Sequence, residues 1–362
     1  MNANTTAVGE SLLAQRQSFY AKIAQQNYAP LWEQLHSLVT ATPRSACQPG
    51  HWPYAVAREY LAEAGKLITA KEAERRVLVL ENPGLRGKAA ITTALYAGLQ
   101  MVLPGETAPA HRHSQSALRL VLEGDGAYTN VDGERVHMHR GDFVITPSWA
   151  WHDHGNHTDR PMVWLDGLDL PLVGMLDASF CAASAEEVQA CIRPEGDALN
   201  RYGNAMAPVD WTPPANRASP LFTYPYERTL GSLRTLAATD RIDGCHGYRL
   251  RYVNPLTGGY PMPSIGAFAQ WLPQGFRGGR CRCSAGSVFA LLEGQVTAHI
   301  DERTFQVAPN DVFVVPSWAS LSLESHHDSV LFSFSDRPVQ EALGLWREQR
   351  GDTSGRIPLG QT

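Results

Sequence analysis

The sequence predicts an all-β protein built from two jelly-roll β-barrels, with helices at the N-terminus and one at the C-terminus. Two observations carry this. Short, evenly spaced strands up to about residue 172 are separated by the hairpin signals Asp125-Gly126 and Asp132-Gly133, the pattern of a barrel or jelly roll. That pattern then recurs about 170 residues later, which means a duplicated barrel rather than a solenoid. Cys281-Arg282-Cys283 through Glu293-Gly294 echoes His111-Arg112-His113 through Glu123-Gly124 at equal spacing. Asn310-Asp311 through Pro316-Ser317-Trp318 likewise echoes Gly141-Asp142 through Pro147-Ser148-Trp149.

In chain order, residues 1–9 are expected to be disordered and 10–25 helical, with Leu12, Leu13, Phe19, Tyr20 and Ile23 near one face. Pro30 can start a helix to Val39, striped by Leu31, Trp32, Leu35 and Leu38. After Trp52-Pro53 a third helix is expected over 54–64, capped by Gly65. These make an N-terminal helical arm over 1–74, suited to packing and oligomer contacts. Residues 75–81 read as a strand, Asn82-Pro83-Gly84 as a turn and 90–103 as a strand region. On that region Tyr96, Gly98 and Gln100 share one face by period two. The first barrel is expected over 75–172, a linker over 173–260 and the second barrel over 261–336. The linker is irregular in its Pro-rich 208–220 part. A closing amphipathic helix over 338–350 belongs to a C-terminal region of 337–362.

Bulk properties exclude several partners. Lys plus Arg number 31 against 36 acids, a net charge of −5, so there is no electrostatic footprint for nucleic acid and no polybasic membrane patch. No apolar stretch approaches spanning length. The N-terminus lacks a basic start followed by an apolar run, the signature of a signal peptide. The six cysteines follow no disulfide-scaffold pattern. The expectation is a soluble cytoplasmic protein with reduced thiols.

The chemistry concentrates in residues 105–156. His111 and His113 are two apart, so a strand aims them the same way. His152 follows the strand Phe143-Val144-Ile145 in a Trp-His-Asp-His run. Imidazole suits Fe, Zn, Cu and Ni, and three imidazoles leave coordination positions open. In the second repeat these become Cys281, Cys283 and Leu321, so one metal per chain is expected. Arg119 shares the parity of His111 and His113 and should point inward, where a guanidinium needs an anion such as a carboxylate. His154 shares parity with His152, whereas Asp153 has the opposite parity. His137, His139, His157, His326 and His327 are expected at the surface.

These residues resemble a known family. Cupin motifs run Gly, five residues, His-x-His, three or four residues, Glu, six residues, Gly; then Gly, five residues, Pro-x-Gly, two residues, His, three residues, Asn. The chain gives Gly105, His111-Arg112-His113 and Gly124, then Gly141, Pro147, His152 and Asn156 at that spacing. The Glu falls on Ala117 or Leu118 and the Pro-x-Gly glycine is Trp149. A three-histidine cupin without the glutamate looks like the dioxygenases of gentisate, salicylate and 1-hydroxy-2-naphthoate. The segments GLRGKAAITTALYAGLQ, ITPSWAWHDHGN and MVWLDGLDLPL look most like gentisate 1,2-dioxygenase, across most of the chain.

The resemblance implies an all-β bicupin, Fe(II) on His111, His113 and His152, and cleavage of gentisate between C1 and C2 with O2 to maleylpyruvate. It implies a catalytic His154, and an Arg75 that joins the inward-pointing Arg119 on the substrate carboxylate; by alternation Arg76 is the exposed neighbour of Arg75. It implies Asp166 near the substrate and a homotetramer. By their shared face Tyr96, Gly98 and Gln100 are expected to shape the pocket, and Asp166 or Asp153 to accept the 5-hydroxyl, although the parity of Asp153 counts against direct contact and favours a structural role. Salicylates and 1-hydroxy-2-naphthoate are alternative substrates. A metal-dependent cupin isomerase or decarboxylase, consuming no oxygen, and a small-ligand binder are alternative classes.

Overall fold

The computed structural model describes residues 3–210, 212 and 216–351, in two compact units, Met1–Arg44 and Ser45–Thr362. The first unit holds α1 (Ala3–Ala24) and α2 (Leu31–Leu38). Trp32 Nε1 donates to Tyr20 Oη (3.0 Å), which donates to Glu33 (2.7 Å). The expected disorder is not found over 3–9, because nothing there stops a helix nucleated further on. Met1, Asn2, part of the Pro-rich stretch and the tail beyond Gly351 lie outside the described residues.

The second unit opens with β1 (Gly50–Trp52), α3 (Tyr54–Leu67), α4 (Ala70–Ala73) and β2 (Val77–Val79). The first repeat is β3 (Tyr96–Val102), β4 (Thr107–His113), β5 (Ala117–Glu123), β6 (Ala127–Val131), β7 (Glu134–Met138), β8 (Phe143–Thr146), β9 (His152–Gly155) and β10 (Met162–Leu168). Between the repeats lie α5 (Leu170–Met175), β11 (Cys181–Ala183), α6 (Asp197–Tyr202), β12 (Thr223–Tyr224), α7 (Tyr226–Thr239) and β13 (Tyr248–Arg251). The second repeat is β14 (Gly266–Leu272), β15 (Cys281–Cys283), β16 (Ser287–Glu293), β17 (Val296–Ile300), β18 (Arg303–Val307), β19 (Val312–Val315), β20 (Leu321–Ser325) and β21 (Ser329–Ser335). It ends in α8 (Arg337–Ala342) and β22 (Glu348–Arg350). No described helix is long and apolar enough to cross a membrane.

The strands form four antiparallel sheets, ordered β12-β8-β5-β10-β3-β2, β11-β4-β9-β6-β7, β1-β19-β16-β21-β14-β13 and β18-β17-β20-β15-β22. Alternation along β5 shows how they stack. Val121 packs with Val102, Trp164, Ala127 and Met138 between the two sheets of the first repeat. Leu118, Leu120 and Leu122 face the other way, into a core shared with Val288, Val314, Phe332 and Phe334 of the second repeat. The six-stranded sheets thus lie back to back and bury both faces, and their strands read as near-continuous apolar runs.

The expected strands are trimmed. Asn82 fixes the 82–91 loop, donating from Nδ2 to Gln48 O and Ile91 O (both 3.0 Å), so the strand regions 75–81 and 90–103 shrink to β2 and β3. Gly65 is not a cap: α3 continues to Leu67, and a β-carbon at Gly65 would stand 2.9 Å from Met101 Cε. The closing helix ends early. Gly344 has φ 68°, and Gly344 N and Leu345 N donate to Glu341 O (3.0 Å) and Gln340 O (2.7 Å), a Schellman stop that frees β22 to pair with β15.

The halves exchange edge strands. β1, ahead of the first repeat, pairs with β19 of the second; β12, ahead of the second, pairs with β8 of the first. The same ties hold both. Tyr54 N donates to Asp311 and its Oη to Glu123 (2.7 and 2.6 Å); Tyr226 N donates to Asp142 and its Oη to Glu293 (2.9 and 2.8 Å).

Candidate metal centre

β4 and β9 position the histidines. Their register runs Ala108 with His154 and His111 with His152, so β4 carries one residue more, a bulge at Pro109 and Ala110. Pro has no N–H for the ladder, and a bulge re-aims the side chains beyond it. The result is three clustered imidazoles, with ring centroids 4.0 Å apart for His111 and His152, 4.8 Å for His113 and His152 and 5.4 Å for His111 and His113. One nitrogen from each lies within 4.8 Å of the others.

Each ring is oriented by one backbone carbonyl. Nδ1 donates to Pro109 O from His111 (3.0 Å), to Gln115 O from His113 (2.9 Å) and to Ala150 O from His152 (3.0 Å). That places the proton on Nδ1 and leaves Nε2 as the ligand atom. His152 Nε2 is buried without a partner, which an apolar void would penalise and a metal ion satisfies. Burial pushes His111 down to about 3 and His113 to about 4, and holds His152 well below the usual range. All three are neutral, as metal ligation requires. The residues therefore fit a metal ion.

Arg75 brings Nη2 within 2.6 Å of His111 Nδ1. A guanidinium only donates, so it competes with the Pro109 carbonyl for that nitrogen. With Nε2 ligating, Nδ1 keeps its proton and Arg75 must pair with an anion instead. Arg119 on β5 is buried. Its Nη1 donates to Thr146 Oγ1 (2.7 Å), its Nη2 to His154 Nε2 (2.8 Å), and its Nε lies 3.6 Å from Asp166. Burial pushes Arg119 down and Asp166 up; desolvation outweighs their attraction on both partners. Because His154 Nε2 accepts, its proton sits on Nδ1, which has no partner.

Gly98, Asp166 and Arg119 form one cross-strand row, so they share a face. Tyr96 folds over Gly98, where a β-carbon would stand 2.6 Å from its hydroxyl. Gln100 is buried one pleat on.

Two expectations need correction. Arg76 is buried and bonds Glu106 (2.8 and 2.9 Å) and Ile68 O (2.8 Å); the outer face of its segment is covered rather than solvated. Asp153 faces away from His152 and His154 and accepts from Gln189 N (2.8 Å), so it pins a loop instead of lining the site. His157, His326 and His327 are exposed, and His137 and His139 have 40% and 60% exposed side chains.

Thr146 and Trp164 were missed. Trp164 Nε1 donates to Asp166 (3.0 Å) and the indole meets His154 edge-on at 5.8 Å. Both share inward parity with residues already singled out, Trp164 with Asp166 and Thr146 with the strand before Pro147, so period two could have found them. The pairing of β11 with the ligand strand, Cys181 opposite His113 and Ala183 opposite His111, had no such signal.

The second repeat has none of this chemistry. Cys281 pairs with Leu321 as His111 pairs with His152, and burial pushes both thiols up, Cys283 to about 11. Phe289, Ser333 and Phe268 occupy the row equivalent to Arg119, Asp166 and Gly98. Among the described residues the three histidines are the group of His, Cys, Asp or Glu placed to hold a metal.

Comparison with known proteins agrees. A cupin domain model matches residues 98–168. Gentisate 1,2 dioxygenase 1 of Aquipseudomonas alcaligenes is 53% identical over 336 residues, 93% of this chain and 96% of that protein. A Streptomyces gentisate 1,2-dioxygenase is 38% identical, covering 92% of this chain and 95% of its own. A crystal structure of salicylate 1,2-dioxygenase from Pseudoaminobacter salicylatoxidans, with gentisate adducts, superposes with a TM-score of 0.87 at 34% identity, covering 93% of this chain and 94% of that one. With a histidine triad competent for metal and relatives matching nearly end to end, the chain belongs to the gentisate 1,2-dioxygenase family of bicupin ring-cleaving dioxygenases.

Proposed function

We propose that the chain holds iron(II) on His111, His113 and His152 and cleaves gentisate between C1 and C2, both atoms of O2 entering maleylpyruvate. The observation that carries this is the triad itself: three neutral imidazoles, each locked with Nε2 free, beside Arg75 at His111 and Arg119 facing the buried Asp166. Iron(II) supplies open coordination positions and an electron path between an electron-rich ring and oxygen. The protein's own groups do the rest. Arg75 is freed by the tautomer of His111 and takes the substrate carboxylate, with Arg119 adding positive charge behind it. Arg119 fixes His154 with Nδ1–H as its available donor, a hydrogen-bond or proton source for a substrate oxygen. Asp166 offers an acceptor near Tyr96 and Gly98, where the small Gly98 leaves ring space.

Salicylates and 1-hydroxy-2-naphthoate are the competing substrates, because a 33% identical relative is named 5-aminosalicylate 1,2-dioxygenase and a 32% identical one 1-hydroxy-2-naphthoate 1,2-dioxygenase. Oxygen uptake by the iron-loaded chain on these acids and gentisate decides between them. The expected result is the highest kcat/KM on gentisate; no uptake on any of them would sink the dioxygenase reading. A homotetramer is the expected assembly. Exposed Leu31, Trp32, Leu35 and Leu38 on α2 support an interface there, and light scattering gives the mass. The six free cysteines support a reducing cytoplasm.

A further inference from the structure

We infer that the second half carries a binding site for a small organic carboxylate, centred on Arg249. This residue lies on β13 opposite Gln270 of β14. Its guanidinium stacks over Phe268, Cζ 4.3 Å from the ring centroid. Its Nε is buried without a partner, and the side chain makes no hydrogen bond or ion pair among the described residues. Burial lowers its pKa, the mark of a charge removed from water without compensation.

The cavity's carboxylates Asp243 and Glu348 are already engaged, while Asp240 and Arg241 are exposed to solvent. Arg350 pairs with Asp243 and with Glu348 (3.1 Å). Glu348 also faces His246 at 3.6 Å. Arg337 bonds Glu341 at 2.7 Å and stacks on Trp346. Arg249, half-buried, is left without an acceptor, whereas Arg251 donates to Gly258 O (2.9 Å) and stacks on Tyr260. Arg249 lines a cavity of about 470 Å³ with Arg251, Arg337, Tyr260 and Phe268, and reaches a second of about 40 Å³ beside Cys281 and Cys283. The larger volume suits a small-molecule site.

One free, planar, five-donor fork selects a planar bidentate acceptor, which a carboxylate is. The aromatic and aliphatic walls, Phe268, Tyr260 and Leu250, favour an apolar body behind that group. Arg249 pairs with Gln270 as Val77 pairs with Gln100 in the catalytic half, so the cation is particular to this half, which has no histidine triad among the described residues. It is a binding site without the means for oxygen chemistry.

The test uses the metal-loaded full chain with benzoate as probe and inorganic phosphate at equal ionic strength as control. Benzoate should slow phenylglyoxal modification of the Arg249 peptide about tenfold or more at saturation, and phosphate should not. By calorimetry Arg249→Met should bind one benzoate fewer per chain than the wild type. Arg249→Lys, which keeps charge without the fork, should weaken that site about tenfold. Arg249 modification unaffected by benzoate, equal protection by phosphate, or an unchanged benzoate count in Arg249→Met would each overturn the assignment.

Discussion

Each imidazole of the triad is aimed by a carbonyl within two residues of itself, so the candidate centre is assembled from local backbone. His113 is a cleaner probe than His111, since its Nδ1 has only the Gln115 carbonyl as partner, without a guanidinium beside it. His113→Ala should lose bound metal and activity together, whereas Cys281→Ala should keep both; metal analysis after iron(II) reconstitution should give about one ion per chain for the wild type. Arg119 makes two charged hydrogen bonds, to Thr146 and His154. Arg119→Lys can make only one in the same place, and a charged bond contributes about 1.5–3 kcal/mol. The expected fall in kcat/KM is about ten- to hundredfold. An unchanged value would show that His154 needs no fixing.

At the scale of an element, the turn before β9 is the telling piece. Trp149 occupies the position where the cupin motif has Gly, and it takes the left-handed φ of 66° that Gly would favour. Trp318 does the same at 65° in the second repeat. The indole is held by the arginine between the paired ligand positions: Arg112 lies 4.2 Å from Trp149, and Arg282 4.8 Å from Trp318. Phe180 packs on Trp149 as well, at 4.5 Å. Stacking thus holds a backbone conformation that costs a non-glycine residue about 1–2 kcal/mol. Trp149→Ala keeps that cost and removes both contacts, so unfolding free energy should fall by about 1–2 kcal/mol. His152 comes three residues later, so metal should also dissociate faster from the variant; an unchanged rate would mean that the turn does not govern the ligand.

For the whole molecule, the contact between the two large sheets sets the tolerances. Gly167 on β10 faces it, and a β-carbon there would stand 2.7 Å from Phe334 of the other half. Phe334 is fully buried and cannot swing away, so Gly167→Ala should destabilise by about 1–3 kcal/mol in chemical denaturation. Asp169 also joins the halves, accepting from Ser116 N (2.9 Å) and from the Ser264 hydroxyl. Burial pushes its carboxyl up to about 6 against those bonds. A folded pKa above the unfolded one favours folding below about pH 4, and that advantage is lost as pH rises through 6. The stability of the wild type relative to Asp169→Asn should therefore drop between pH 4 and 7, by up to about 3 kcal/mol. A pH-independent difference would show that Asp169 ionises freely.

The sequence by itself determined the duplication, the strand content, the three histidines and their confinement to one half. Those depend on spacing and period two, which are local and survive in one dimension. The duplication extends beyond the barrel strands. Trp52-Pro53-Tyr54 and Tyr224-Pro225-Tyr226 repeat at the same offset as Asn82-Pro83 and Asn254-Pro255, and Asp336-Arg337-Pro338 echoes Asp169-Leu170-Pro171. These mark the exchanged edge strands and the strand after each short helix. Only the tertiary structure decided the remainder. Whether Arg76 meets water, which way a bulge turns His111, and which carbonyl holds each ring depend on what covers a face from elsewhere in the chain. So does the solitude of Arg249, since a missing counter-charge shows only after Asp243 and Glu348 have found their own partners.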